Sequence, residues 1–164
     1  MLPIDTSGLI YDRTSADSYE ADDLNRVEAM CQAIASAARE QLSELAALRE
    51  EYGTAPSEYT SPGFTVPRLR VKTDYAVTDT YTLDQMQWYL KNILAVVTQF
   101  PPAVYKPLPE SMRFLMAEGA NNIEEDLKQS AEYLASRTEQ TITNIKNTAA
   151  AFVYSGETFA GGIL

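Results

Sequence analysis

From Asp22 onward the chain places an apolar residue at every third or fourth position: Leu24, Val27, Cys31, Ile34, Ala38, Leu42, Leu45 and Leu48. That spacing puts all eight on one face of an α-helix. The other face carries Arg26, Glu28, Arg39, Glu40, Glu44, Arg49 and Glu50, and Gly53 stands where a helix end takes a left-handed residue. A helix over 22–52 has about 30 residues and is roughly 45 Å long at 1.5 Å per residue. In a chain of 164 residues this is longer than one compact domain usually needs.

Two further helices are predicted. Thr82 and Gln85 form a capping box ahead of Met86, Tyr89, Leu90, Ile93, Leu94, Val97 and Phe100, and Pro101-Pro102 ends the pattern. This stripe is wide and rich in large residues, so the helix over 82–100 is expected to be the core element. A third helical region begins near Ser111, is interrupted around Gly119 and continues over 120–152 through Ile123, Leu127, Ala131, Leu134, Ile142, Ile145, Ala149 and Phe152. Between Leu134 and Ile142 the stripe holds only Arg137 or Thr138, so the helix is expected to bend there or to leave its partner.

The connections read differently. Residues 1–21 contain Pro3, Gly8 and turn formers, and the Thr14 and Asp17 spacing allows at most a turn or two of helix. In 53–81 the prolines Pro56, Pro62 and Pro67 precede Arg68-Leu-Arg-Val-Lys-Thr73, whose alternation suits a short strand or hairpin. So long a connection without helix more often reaches a partner. Residues 101–110 hold four prolines and form a stiff linker. Residues 153–164 break the helical pattern with a near-repeat, Tyr154-Ser-Gly-Glu157 and Phe159-Ala-Gly-Gly162. The expected fold is mainly α: an elongated helical bundle of two long helices and one shorter core helix in 22–152. An extended middle segment and extended arms at 1–21 and 153–164 complete it.

Charge narrows the function. The net charge of −10 repels phosphate backbones and anionic lipid headgroups, so nucleic acid and membrane are not expected as partners. Most of it lies in residues 1–60, with 12 acidic and 4 basic side chains against 11 and 9 in the remainder. Within that remainder Arg68, Arg70 and Lys72 form a small basic cluster, suited to protein docking or to pairing with the acidic first helix. Neither a signal-peptide pattern nor a membrane-spanning run is present in the sequence, so synthesis in the cytoplasm without a signal peptide is expected.

No catalytic constellation emerges. With no histidine, the commonest general base and zinc ligand is missing, and Cys31 lies on an apolar stripe as a small hydrophobe. The carboxylates Asp22-Asp23 and Glu124-Glu125-Asp126 stand near helix N-termini, where they complement the dipole. No phosphate loop is found, and Asp74 with Asp79 is too sparse for a calcium site. Neither an enzymatic activity nor a metal, cofactor or small-molecule substrate is therefore expected. Ten tyrosines, many in the non-helical segments, suit protein interfaces or the anchoring of loops.

Five motifs follow one another from Tyr11 to Glu157: Tyr11-Asp-Arg-Thr14, Asp23-Leu-Asn-Arg-Val-Glu28, Lys72-Thr-Asp-Tyr75, Asn121-Asn-Ile-Glu124 and Phe152-Val-Tyr-Ser-Gly-Glu157. This ordered series resembles that of phage tail proteins, virion structural proteins of tailed phages and prophages of Gram-positive bacteria grouped with baseplate and tail-fibre components. The chain departs from it at Asn122, where the family has Asp, and at Val153, where it has an aromatic. The resemblance implies a virion location and a tail, baseplate or fibre-attachment subunit, with other virion proteins and copies of itself as partners. A neck, collar or head-decoration protein, or a cytosolic helical adaptor or assembly chaperone, are the alternatives. Expected assembly contacts are Tyr11, Arg13, Arg26, Arg68, Arg70, Tyr75, Phe152, Tyr154 and Phe159. The first turns of the two long helices are further expected to pack together, with Arg26 bridging to Glu124 or to Asp12.

Overall fold

The computed structural model describes the backbone of residues 4–163 and the side chains of residues 4–151. It is mainly helical, with α1 at Ala21–Glu51, α2 at Leu83–Gln99, a short 3-10 turn at Met112–Phe114 and α3 at Ala117–Ile163. Two helices are long and one is short, as the stripes predict.

Local chemistry sets the ends. Asp23 accepts the Glu20 backbone N–H at 2.7 Å to open α1. The α1 C-terminus closes with Gly53 N–H donating to Glu50 and Thr54 N–H donating to Arg49, a Schellman motif that needs the φ of +64° found at Gly53. The capping box of α2 is formed as expected, with Gln85 N–H donating to Thr82 and Thr82 N–H donating to Gln85.

Two polar contacts fix the direction of α3 against α1. Arg26 meets Glu124 and, fifteen residues further along α1, Gln41 meets Thr138. The offset between the helices is nearly constant, so they run parallel. The segment after α1 runs the opposite way: Thr60 sits by Arg49, Pro62 by Arg137, Thr65 by Gln99, Arg70 by Asn92 and Tyr75 by Asn25. It therefore returns antiparallel to both α1 and α2, which makes α2 parallel to α1. The linker after α2 does the same along α3, with Val104 at Gln129, Lys106 at Asp126 and Pro107 at Asn122.

Three parallel helices explain the long connections. Each return must span the length of the helix it follows, and an extended strap covers that distance in few residues. The 53–81 connection lies along the chain's own helices. No strand is assigned to Arg68–Thr73 or elsewhere among the described residues, because the backbone groups of the straps pair with helix side chains rather than with another strand. Asn92 accepts from Arg70 N–H at 2.9 Å and donates to its carbonyl at 2.8 Å, and Asn25 clasps Tyr75 in the same way. Asn121 clasps Arg13, and Gln129 clasps Val104. A carboxamide presents one donor and one acceptor side by side, so a single residue satisfies both backbone groups.

The core lies where the three stripes meet: Leu24, Val27, Cys31, Ile34 and Ala38 of α1, Tyr89, Ile93, Val96, Val97 and Phe100 of α2, and Ile123, Leu127, Ala131 and Leu134 of α3. Leu9 of the N-terminal segment and Phe64 and Tyr75 of the strap plug it, Phe64 meeting Phe100 edge to face at 5.2 Å. Each such large apolar side chain contributes about 1.5–3 kcal/mol by leaving water.

Three expectations are corrected. Leu94, expected on the buried stripe, is 52% exposed, lining an open groove between α2 and strap residues Thr65 to Arg68. Of the two outcomes expected at the weak seam of α3, parting from α1 does not occur: Thr138 is buried against Gln41. The third helix also starts before Gly119 and runs through it unbroken to Ile163, so residues 153–163 are helical in backbone rather than an extended arm. Gly119 suits this place because a Cβ there would stand 3.2 Å from Leu115 and 3.4 Å from Pro109 of the linker.

Candidate functional site

Because all three helices run the same way, their N-termini share one end of the bundle, and the opposite charges of three of the sequence motifs meet there. Glu124, fully buried on α3, accepts from the Ile10 N–H at 2.7 Å, from Arg13 at 2.5 Å and from Arg26 Nε and Nη2 at 3.0 and 2.7 Å. Asp23 receives the same two guanidinium groups, at 2.8 Å from Arg13 and 2.5 Å from Arg26. The cluster holds two cations and two anions. Burial opposes the charge on Arg13, but the hydrogen bonds it donates to Glu124 and Asp23 outweigh it and hold the guanidinium above its ordinary value. For Asp23 the cost of burial is likewise outweighed, by the Glu20 backbone and both arginines, and its carboxyl lies below the usual range. Beside the cluster the Tyr19 and Tyr89 hydroxyls are 2.5 Å apart, and Arg13 stacks over the Tyr19 ring at 5.1 Å.

Of the two partners expected for Arg26, the structure selects Glu124. The network ties the N-terminal segment to α1 and α3, and Leu9 is buried in the core. The N-terminal segment is therefore held against both long helices at this end. Removing one member of such a buried network leaves a charge unpaired and costs several kcal/mol, roughly 3–5.

The same end exposes apolar side chains that the core does not use. Leu83 opens α2 and is 73% exposed, Phe114 and Met116 precede α3 at 81% and 76%, and Val77 in the adjoining turn reaches 82%. At Leu83 a cleft of about 420 Å³ is lined by Tyr81, Leu83, Met86, Leu90 and Met112, together with the polar Thr82, Gln87, Glu110, Ser111 and Arg113. Large apolar side chains grouped at one end, flanking an apolar cleft, mark a surface that excludes water when covered. This is the candidate site.

The expected contact residues divide. Arg13 and Arg26 spend their charge inside the chain, and Tyr75 is buried beneath its strap with its backbone held by Asn25 and its ring edge-on to Tyr81 at 5.5 Å. These three therefore build the fold from within. Tyr11 is half-exposed with Lys128 over its ring. Arg68 and Arg70 are exposed on the strap, Arg70 lying over the Trp88 ring at 5.4 Å and 3.7 Å from Asp84. The side chains of Phe152, Tyr154 and Phe159 lie outside the described residues. Leu83, Phe114, Met116 and the clasping amides were not among the expected contacts. The available signal was Asn25 and Asn92, poor helix formers set next to apolar stripe positions.

A second pocket, of about 190 Å³, lies under the middle strap between Tyr75, Trp88, Arg70 and Lys72, with Glu28 at its base. Burial pushes the Glu28 carboxyl up to about 7, only partly offset by hydrogen bonds from Asn92 and the Lys72 backbone. Cys31 is fully buried and burial raises its thiol far above the usual range, which makes it a poor nucleophile. Among the described residues no group of three His, Cys, Asp or Glu is placed to hold a metal, and no helix is long and apolar enough to cross a membrane.

No protein-family model matches the chain, and no curated protein or solved structure is similar to it.

Proposed function

We propose that this chain is a structural subunit of a phage or phage-derived particle, in its tail, baseplate or fibre attachment, acting through protein–protein contacts. The observation that carries the assembly role is the apolar end of the bundle, where Val77, Leu83, Phe114 and Met116 are exposed and Leu83 lines a cleft. The particle assignment draws on the resemblance of the five motifs to phage tail proteins. Three of those motifs supply Arg13, Asp23, Arg26 and Glu124 to one buried ion cluster, and a fourth supplies Tyr75 to the clasp with Asn25. These motifs therefore maintain a framework, which is what a structural subunit must keep. The 47-residue α3, roughly 70 Å long at 1.5 Å per residue, supports an elongated form for the subunit.

Mass spectrometry of purified particles from the encoding strain tests the reading. The chain is expected in them at a fixed stoichiometry. Its presence in the lysate but absence from the particles would overturn a structural role and favour an assembly chaperone.

A further inference from the structure

Building on the assembly reading of the apolar end, we propose that its occupant is a second copy of this chain. The two copies meet across a two-fold axis, with Phe114 of each in the cleft of the other and Arg113 of each facing the partner's Glu110.

Hole and knob belong to one surface. The cleft between α2 and the 110–113 segment is lined by Tyr81, Leu83, Met86, Leu90 and Met112, while Phe114 follows directly in the chain and stands 81% exposed outside that lining. A two-fold interface uses the same patch twice, so a patch that carries both a hole and its filling is self-complementary.

The rim charges favour the same pairing. Glu110 and Arg113 are three residues apart on one short segment, both are exposed, and neither forms an ion pair among the described residues. When a two-fold axis reverses the segment, acid meets base at both ends of the contact. Copies that each carry −10 repel one another over most of their surface, so they must meet where charge is locally balanced. At the cleft rim one acid stands beside one base.

Sedimentation velocity over a concentration series, on the full chain, tests the proposal through charge reversal. The wild type is expected to dimerise, and Phe114→Ser to remain monomeric with an unchanged helical spectrum. Glu110→Arg and Arg113→Glu, each alone, put like charges opposite each other and are expected to weaken the dimer about tenfold. The double variant Glu110→Arg with Arg113→Glu restores the pairing and is expected to return near wild-type affinity. A wild-type chain that stays monomeric would overturn the proposal, as would single reversals that leave the dimer intact or a double reversal that fails to rescue it. The assembly reading fails separately: a monomer found in particles refutes the two-fold contact alone, whereas a dimer missing from them refutes the structural role alone.

Discussion

Replacing Glu28 with Gln isolates the cost of one buried carboxyl. Glu28 is 1% exposed, and burial raises its pKa from 4.5 to about 7. Between those values the folded chain keeps the proton and the unfolded chain has lost it. Stability is thus fullest below about pH 4.5 and falls as pH rises through about 7, by up to about 1.4 kcal/mol per unit. Between pH 5 and pH 8 the loss from this one group amounts to roughly 2–3 kcal/mol. Glutamine resembles the protonated acid, cannot ionise and still offers an oxygen to the Asn92 Nδ2, which lies 2.9 Å from Glu28 Oε2. Glu28→Gln is therefore expected to be more stable than the wild type at pH 8 and to differ little at pH 5. Urea unfolding at both pH values measures this. With slopes of about 1–3 kcal/mol per molar, the difference in midpoint between the two proteins should change by roughly 1–2 M. Asp126, also raised by burial to about 6, titrates in the same window in both proteins and cancels in the comparison. If the two proteins keep the same difference in midpoint at pH 5 and pH 8, the argument from desolvation is wrong.

Glu124→Ala should leave Arg13 and Arg26 facing each other around a missing anion, lowering stability by about 3–5 kcal/mol in denaturant titrations. Arg26→Ala should loosen the N-terminal segment, seen as faster limited proteolysis before Ala21; unchanged cleavage would count against the clasp. Asn92→Ala strips both backbone partners from Arg70 and should cost about 1–3 kcal/mol, with faster amide exchange confined to the strap around it. Gly53→Ala forces a Cβ into a φ of +64° and should lower the melting midpoint by a few degrees, corresponding to about 1 kcal/mol.

Local signals were legible where the physics is local. The α1 stripe, the Thr82 and Gln85 box and the left-handed Gly53 depend on neighbours within one turn, and each appears in the structure where its residues predict it. The pairing of Arg26 with Glu124 was also within reach, because two long helices with charged first turns and opposite charges available can satisfy each other only if those turns meet. The straps were not. Proline and alternation identify an extended segment, but whether a strand, a partner or a row of helix side chains receives its backbone depends on what lies beside it. The answer here was Asn25, Asn92, Asn121 and Gln129, spread over three helices.

The sequence by itself determined three helices, the boundaries of α1 and α2 and most of the face each one buries, since periodicity and capping are properties of consecutive residues. Periodicity carries no direction in space, so only the tertiary structure decided that the three helices run parallel. That choice turned two long connections into return straps and gathered the three N-termini at one end. It also decided the candidate site. Leu83, Phe114 and Met116 are ordinary apolar residues in the chain, and they become an exposed surface only because α2 and α3 begin side by side with nothing of their own left to cover them.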